Sequence, residues 1–274
     1  MSAIATRFLG AATFVCVAVL GTPRSARADH SAEERIIDQA AYTLPKGRFQ
    51  LGLFRQQWGP WDRLTLGTYA IPWAFGVANL HLKWRFYGND PVSVAATIGG
   101  FRVAPAALKK ESGDATITVV PFELAASWRI DDEWTLSPSL VYTVVTLRGN
   151  YDPAQLQGVA ALSNLQLATT LEYRLTRVTA FVLHGRYLVF QNVGGRVTST
   201  VHPDEFTTVD VQAVASTDAL DFPNAFSVVP SVVFSWKVFN LRLGLGYGNY
   251  SIPGINLVLP KKTIIPDLDF YFRF

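Results

Sequence analysis

The stretch TIIPDLDFYFRF, Thr263 to Phe274, alternates strictly between two kinds of side chain from Asp267 onward. Because successive side chains of a β-strand point to opposite faces of the sheet, this stretch predicts a strand with two different faces. The apolar face carries Leu268, Phe270, Phe272 and Phe274. The other face carries Asp267, Asp269, Tyr271 and Arg273. A chain terminus usually frays in a soluble domain, so these large apolar groups favour a membrane strand over the end of a soluble sandwich.

An alternating strand that closes with a terminal Phe resembles the C-terminal signature of bacterial outer-membrane β-barrels. In that class, the barrel assembly machinery recognises the signature. The resemblance implies that this machinery is a partner during biogenesis. It also implies an assembly signal made of Leu268, Phe270, Phe272 and Phe274.

The N-terminal region has the features of a secretory signal peptide. Arg7 precedes an apolar run from Phe8 to Leu20, and Ala26 and Ala28 are the small residues of a cleavage site. A membrane anchor is the alternative, but a spanning helix needs about 20 apolar residues and this run is shorter. We therefore expect a signal peptide at 1–28, a periplasmic N-terminal segment at 29–35 and a barrel at 36–274.

The composition favours a barrel in a membrane over a soluble domain. Charged residues make up 16% of the chain and aromatic residues 13%, whereas an ordinary soluble domain has about 25% charged residues. The single cysteine, Cys16, lies in the predicted signal peptide, so disulfides and thiolate metal sites are not expected in the mature chain. No later segment is long and apolar enough for a spanning helix, which leaves a closed barrel as the spanning structure. A secreted β-sandwich is the alternative.

Eleven segments alternate with the period of a strand, most of them near the ten-residue length that a tilted membrane strand needs. They are 48–56, 63–70, 79–87, 92–103, 116–130, 134–146, 163–175, 178–190, 226–238, 240–250 and 263–274. The polar segment from 191 to 224 is predicted to be a long loop that could hold a short hairpin.

Outer-membrane barrels have an even number of strands, short periplasmic turns and both termini in the periplasm. Counting back from Phe274 places the turns at 59–62, 88–91, 131–133, 176–177 and 238–240 on the periplasmic side. The strand at 48–56 would then run toward the periplasm. A strand that runs away from the periplasm must therefore precede it, and Ile36 to Leu44 is the candidate. We therefore predict an all-β fold, a single transmembrane antiparallel β-barrel of twelve strands, with ten as the fallback.

Aromatic residues cluster near the predicted periplasmic turns. Amphipathic rings favour the interface between lipid and water, so these residues are predicted to form a girdle. The girdle comprises Trp61, Trp84, Trp128, Trp134, Tyr173 and Trp236.

The strand faces opposite the apolar ones are predicted to line the lumen. Their basic residues are Arg63, Lys83, Arg85, Arg129, Arg174, Arg186, Lys237, Arg242 and Arg273. Their acidic residues are Glu123, Glu172, Asp267 and Asp269, and His184 has the same parity. If the lumen holds water, this basic excess favours anions, because a low-dielectric wall focuses the field. A lumen filled by paired side chains is the alternative.

No motif for catalysis, phosphate binding or metal binding is present, so neither an enzyme nor a cofactor is expected. The stretch from Leu44 to Thr68 is similar to a pattern in uncharacterised outer-membrane barrels, some of which are grouped with proposed transporters of aromatic or other small compounds. The leading hypothesis is a passive channel for small solutes with a mild anion preference. Its expected partners are outer-membrane lipid and small anionic or aromatic solutes, with no nucleic acid. The alternatives are a structural or adhesive barrel that acts through its loops, and a lipid-modifying enzyme that uses His184.

Overall fold

A computed structural model describes residues 36–103, 114–151, 156–204, 207–216, 224–236 and 238–274. The predicted signal peptide with Ala26 and Ala28, the predicted segment 29–35, and Lys237 lie outside the described residues. The described chain is almost entirely β-structure. No helix among these residues is long and apolar enough to cross a membrane.

The strands follow one another with a single short helix, α1 (Ala70–Ala74), among them. In chain order they are β1 (Phe49–Gly52), β2 (Arg55–Trp61), β3 (Leu64–Tyr69), β4 (Val77–Asn89), β5 (Val92–Val103), β6 (Asp114–Arg129), β7 (Trp134–Tyr151), β8 (Leu156–Arg174), β9 (Thr179–Asp204), β10 (Thr207–Ser216), β11 (Phe226–Ser235), β12 (Phe239–Ser251) and β13 (Val258–Arg273).

Twelve of these strands close into one antiparallel barrel. Each strand from β1 to β9 pairs with the next, β9 pairs with β11, and β11 to β13 continue the sheet. The barrel closes where Gln50 faces Arg273 and Gly52 faces Tyr271. The thirteenth strand, β10, pairs only with β9 and lies outside the ring. The predicted all-β barrel of twelve strands is therefore confirmed.

The first strand of the barrel differs from the prediction. Residues 36–44 form no strand, so the strand predicted from Ile36 to Leu44 is wrong. The single strand predicted at 48–56 is also wrong, because a turn at Leu53 and Phe54 breaks it into β1 and β2. Alternation could not show this turn, because apolar residues continue across it. β1 therefore serves as the first strand of the barrel and runs away from the end at which Phe274 lies. The strand count stays at twelve.

Short turns lie at one end of the barrel, which we call the turn end, and longer connections lie at the other, the loop end. The turn end holds the connections β2–β3, β4–β5, β6–β7, β8–β9 and β11–β12. These are the short turns that the sequence predicts, although the first lies at 62–63 because β2 continues to Trp61. At the loop end, the segment predicted as a loop from 191 to 224 contains the end of β9 and all of β10, paired as a hairpin.

The outer surface is apolar and the interior is largely polar. Leu80 is 61% exposed, Trp84 53% and Leu167 51%, and each lies on an outward face. Buried polar residues outnumber buried apolar ones, and the apolar ones form five small clusters instead of one core. Such an inverted distribution is expected of a barrel that faces lipid.

Candidate functional site: a lumen occupied by two plugs

The described chain enters the barrel interior before it forms any strand. Residues 36–44, which we call the turn-end plug, cross the lumen near the turn end. Ile36, Ile37, Ala41 and Leu44 are all buried, and Ala41 and Leu44 are fully so. Ile36 packs against Val182 and Val233 on the far wall, and Ala41 packs against the alanines of β5 and β6. The apolar residues that predicted a strand are therefore buried against the inner wall.

Side chains of the wall hold the backbone of the turn-end plug. The Lys83 ammonium donates hydrogen bonds to the carbonyl oxygens of Ile37 (2.7 Å) and Ala40 (2.9 Å). The Ala41 amide donates to Ser127 Oγ at 2.8 Å. The Leu44 amide donates to Thr65 Oγ1, also at 2.8 Å. An extended segment inside a barrel has no ladder partner, so these wall side chains supply the partners that its backbone needs.

An ion pair completes the attachment of the turn-end plug. Arg55 Nη1 lies 2.6 Å from Asp38 Oδ1, and Arg242 donates to Gln39 Oε1 at 3.3 Å. Burial alone would raise the pKa of Asp38, but Arg55, Lys83 and Arg242 outweigh it, so the pKa lies below its usual value of 3.8. Asp38 therefore stays ionised at neutral pH.

The loop between β12 and β13 folds back into the barrel from the loop end. We call residues 252–257 the loop-end plug. Its Asn256 carbonyl accepts a hydrogen bond from Gln166 Nε2 at 2.6 Å, and its Asn256 Oδ1 accepts one from Arg186 at 3.2 Å. Gly254 has a φ of +80°, and a Cβ there would lie 2.6 Å from the Tyr69 ring. Only glycine fits at this position without displacing the ring.

A cavity of about 140 Å³ remains beside the two plugs. Gln39 borders it from the turn-end plug and Pro253 from the loop-end plug. Its walls come from β9, β11, β12 and β13. The charged and polar residues of its lining are His184, Arg186, Ser227, Arg242, Tyr250, Ser251, Asp267 and Asp269.

His184 belongs to a hydrogen-bonded network in the wall. Its Nε2 accepts from Arg186 Nε at 3.0 Å. Its Nδ1 therefore carries the proton and donates to Thr170 Oγ1 at 2.9 Å. Both ring nitrogens are occupied, which leaves no lone pair to act as a base. In the described part of the chain, no group of three His, Cys, Asp or Glu side chains could hold a metal ion.

The residues predicted to line the lumen occupy three environments. Buried in the interior are Lys83, Glu172, Arg174, His184, Arg242 and Arg273. Half-buried are Arg85, Glu123, Arg129, Arg186, Asp267 and Asp269. Arg63 instead lies exposed in the turn between β2 and β3. Alternation placed Arg63 inside because the sequence does not mark that β3 begins only at Leu64.

Several of these charges are paired across or along the wall. Arg174 Nε lies 2.8 Å from Glu172 Oε1, and Arg242 Nε lies 2.6 Å from Asp267 Oδ2. Arg129 pairs with Asp90 at the turn end. These pairs reduce the field that the basic excess would produce in an open lumen.

The aromatic residues of the predicted girdle lie at the turn end. Trp61, Trp84, Trp128 and Trp236 are 48–63% exposed on outward faces. Trp134 and Tyr173 stack on each other with ring centroids 4.4 Å apart. The residues predicted to form an assembly signal, Leu268, Phe270, Phe272 and Phe274, also point outward, and Phe274 stacks on Phe49 of β1.

Sequence reasoning missed the residues that hold the plugs. Arg55 was missed because the turn at Leu53 and Phe54 reverses the parity of the following residues. Asp38 was missed because its segment was predicted to be a strand. Ser127 and Thr65 carried a usable signal, since each is a polar residue on the inward face of a clear strand.

No protein family and no curated protein matches the chain. Among solved structures it is similar to outer-membrane expressed OmpT of Vibrio cholerae (16% identity, TM-score 0.32), covering 80% of this chain and 62% of that one. It is also similar to a mutant of TodX, a monoaromatic hydrocarbon channel (9%, 0.29), covering 82% and 77%. A third is CdiB from Acinetobacter baumannii (10%, 0.31), covering 85% and 61%. The chain spans less than two thirds of the OmpT and CdiB chains, and these likenesses concern the barrel fold alone.

Proposed function

We propose that this chain is a bacterial outer-membrane barrel that passes small solutes with a mild preference for anions, and that the turn-end plug closes it at rest. A closed barrel satisfies its own backbone groups, and its apolar outer surface suits lipid. Outer-membrane lipid and, during biogenesis, the barrel assembly machinery are the partners that this location implies; no nucleic-acid partner is expected.

The observation that carries the proposal is the way in which the plug is attached. Residues 36–44 have no ladder pairing with the barrel. Lys83, Ser127 and Thr65 of the wall form hydrogen bonds with the backbone of the plug. Arg55 of the wall forms an ion pair with Asp38 of the plug. Each of these wall groups is polar, so water could solvate them after the plug leaves. Because no ladder pairing holds the plug, it can leave without breaking the pairing of the barrel wall.

The charge inside the barrel supports only a weak selectivity. Its described basic groups are Arg55, Lys83, Arg85, Arg129, Arg174, Arg186, Arg242 and Arg273. Its acidic groups are Asp38, Glu123, Glu172, Asp267 and Asp269. The excess is three positive charges with Asp38 present and four without it. Loss of the plug should therefore increase the preference for anions.

Planar-bilayer recordings of the refolded protein test the proposal. The full chain should show brief openings, whereas a variant that lacks residues 36–44 should open more often and for longer, with a reversal potential shifted further toward anions. Heat-modified migration on gels would establish that the variant is a folded barrel. If both folded proteins fail to conduct at every salt concentration, the proposal is wrong.

A second candidate function is adhesion through the loop end. The observation in its favour is the hairpin of β9 and β10, which continues the sheet beyond the ring as β8–β9–β10. Removing residues 195–215 would leave conductance unchanged if the barrel is a channel. The same deletion would abolish binding to other cells or surfaces if the barrel is an adhesin.

A lipid-modifying activity is not part of the proposal. Such activity would need a free base, and the hydrogen bonds of His184 to Thr170 and Arg186 occupy both of its ring nitrogens. We expect no turnover of lipid substrates by the native protein. Hydrolysis or transfer that is lost in His184→Ala would contradict this expectation.

A further inference from the structure

The wall of the barrel is interrupted on one side. β1 ends at Gly52, and the last contact between its chain and β13 is the hydrogen bond from the Leu53 amide to the Phe270 carbonyl, at 3.0 Å. β13 continues beyond this point toward the loop end, as far as Val258. In the described chain, residues 258–269 of β13 pair with β12 but with no strand on their other side. We call this gap the notch.

The notch lies at the depth of the apolar outer surface. Leu268 and Ile264 of β13 are 50% and 55% exposed beside it. On the opposite side, the Ala70 amide donates to the Phe54 carbonyl at 3.0 Å, so helix α1 begins at the tip of the β1–β2 hairpin. At this tip Leu53 is 37% exposed. Apolar side chains therefore border the notch on both sides.

The cavity beside the plugs borders the notch. Its lining includes Phe54, in the turn that follows β1, and residues 265–269, which belong to the part of β13 that pairs only with β12 in the described chain. The notch therefore offers this cavity a side entrance.

One polar atom of the cavity lacks a partner. Asp269 Oδ1 is buried, and no donor in the described part of the chain reaches it. A buried acceptor without a donor is costly, and a ligand that brings a donor removes that cost. The lining carries Arg186 and Arg242 against Asp267 and Asp269, so its formal charge is zero. The cavity should therefore favour a neutral ligand over an ion.

The volume limits the size of that ligand. The cavity measures about 140 Å³, and an engineered protein cavity of about 150 Å³ holds one benzene molecule. Going beyond the proposed transport function, we propose that this cavity binds small neutral amphipathic molecules. Such a molecule has an apolar body about the size of one ring and a hydroxyl group that donates to Asp269, and it passes between the cavity and the lipid through the notch.

Calorimetric titration of the refolded full chain in detergent micelles tests the binding site. The probes are phenol, toluene and benzoate, which share a ring and differ in the donor and the charge. Phenol should bind about tenfold more tightly than toluene, as expected for one hydrogen bond to a carboxylate. Phenol should also bind about tenfold more tightly than benzoate, which brings a negative charge and no donor. Equal binding of phenol and toluene, or tighter binding of benzoate, would overturn the proposal.

Variants assign the effect to Asp269. Asp269→Leu should reduce phenol binding to the level of toluene, whereas Asp269→Asn keeps an acceptor and should retain most of the difference. Asp132→Leu, in an exposed turn, is the matched control and should bind like the native chain. Because the Asn variant preserves shape, it stays informative even if the Leu variant fails to fold. The assignment would be overturned if Asp269→Leu bound phenol as tightly as Asp132→Leu does, or if Asp269→Asn lost as much phenol binding as Asp269→Leu.

A third comparison tests the entrance. Leu268→Trp should narrow the notch and slow phenol association at least fivefold, measured from NMR line shapes in lipid nanodiscs. Leu167→Trp lies on β8 with the same exposure and should leave the rate unchanged. Equal rates in both variants would overturn entry through the notch. Conductance without selective phenol binding would overturn this inference alone, and selective binding without conductance would overturn only the transport proposal.

Discussion

The two sides of the barrel differ greatly in height. On the low side, β1, β2 and β3 have 4, 7 and 6 residues, whereas on the tall side β7, β8 and β9 have 18, 19 and 26. At about 3.3 Å per residue, β1 extends only about 13 Å, less than the 9–11 residues of an ordinary membrane strand would span. The tall side is long enough to extend beyond a membrane. The low side is where the plug is held and the wall is interrupted.

This difference separates two roles within one sheet. The tall side is a continuous ladder that contributes most of the pairing. The low side offers few ladder contacts, and its inward side chains are used to bind a segment of the same chain: Arg55 of β2 and Thr65 of β3 contact the plug, as does Lys83 of the adjacent strand. The low side is thus the part of the barrel with the least strand pairing. Its inward side chains are therefore available to bind a segment that is not a neighbouring strand.

Closure of the low side should be the most sensitive feature of the fold. A Cβ at Gly52 would lie 2.9 Å from Tyr271 Cβ and 3.1 Å from the Arg55 carbonyl, within a β1–β13 pairing of only three residues. We expect Gly52→Val to destabilise the barrel by about 3 kcal/mol through overpacking. Urea unfolding followed by tryptophan fluorescence measures this loss.

The matched control lies on the tall side. Gly194 of β9 has no atom within 4 Å of an added Cβ, so Gly194→Val should change the stability little. Equal destabilisation by both substitutions would remove the distinction between the two sides.

Removal of the Lys83 ammonium should release the turn-end plug. Lys83→Met keeps the length of the side chain but leaves the carbonyls of Ile37 and Ala40 without a donor, at a cost of about 2 kcal/mol. In a Cys16→Ser background, a cysteine introduced by Ala40→Cys should react with a maleimide at least tenfold faster. Lys262→Met, on the exposed loop-end half of β13, serves as the control. If the two substitutions give the same rate, Lys83 does not hold the plug.

Loss of a single neutral hydrogen bond should have a smaller effect. Thr65→Val removes the acceptor for the Leu44 amide and should destabilise the bound plug by about 1 kcal/mol. The cysteine introduced by Ala40→Cys should then react with the maleimide about fivefold faster. Thr135→Val, buried on the inward face of β7, should not alter the rate. A change at Thr135 equal to that at Thr65 would show that general loosening, and not the plug contact, controls the reaction.

The smallest effect is expected from acid. Because the pKa of Asp38 in the bound plug lies below 3.8, the Arg55–Asp38 pair stabilises the bound plug fully above that value. This contribution is lost as the pH falls below 3.8 through the lower pKa of the bound state. Bilayer recordings of the full chain should therefore show more openings as the pH falls below about 4. Asp38→Asn should show more openings at neutral pH, and a dependence on acid that persists in this variant would contradict the role of Asp38.

The sequence predicted the tall side well. Between 116 and 190, alternation located the turn-end boundaries of β6 to β9 to within one residue, because each strand has one apolar and one polar face. The loop-end extensions were missed, since pairing of β9 with β10 lies in polar sequence where alternation carries no signal. On the low side, the turn at Leu53 and Phe54 was invisible for the opposite reason: both of its residues are apolar.

The candidate site was predicted only in part. The parity of β13 placed Asp267 and Asp269 on the inward face, where the structure has them beside the cavity. The pairing of Asp38 with Arg55 and the contact of Asn256 with Gln166 join residues far apart in sequence. No local pattern reports such contacts, because they depend on how the barrel closes.

The sequence by itself determined which faces of most strands are apolar and which turns share one end. Both properties follow from alternation along single strands, which is a local pattern, whereas the count of twelve held because the missing strand at 36–44 was offset by the division of 48–56 into two strands. Only the tertiary structure decided that residues 36–44 fill the lumen and that the wall is open beside Leu268. An apolar segment is buried equally well against lipid, a neighbouring strand or an inner wall, and closure of the ring decides which of these is available.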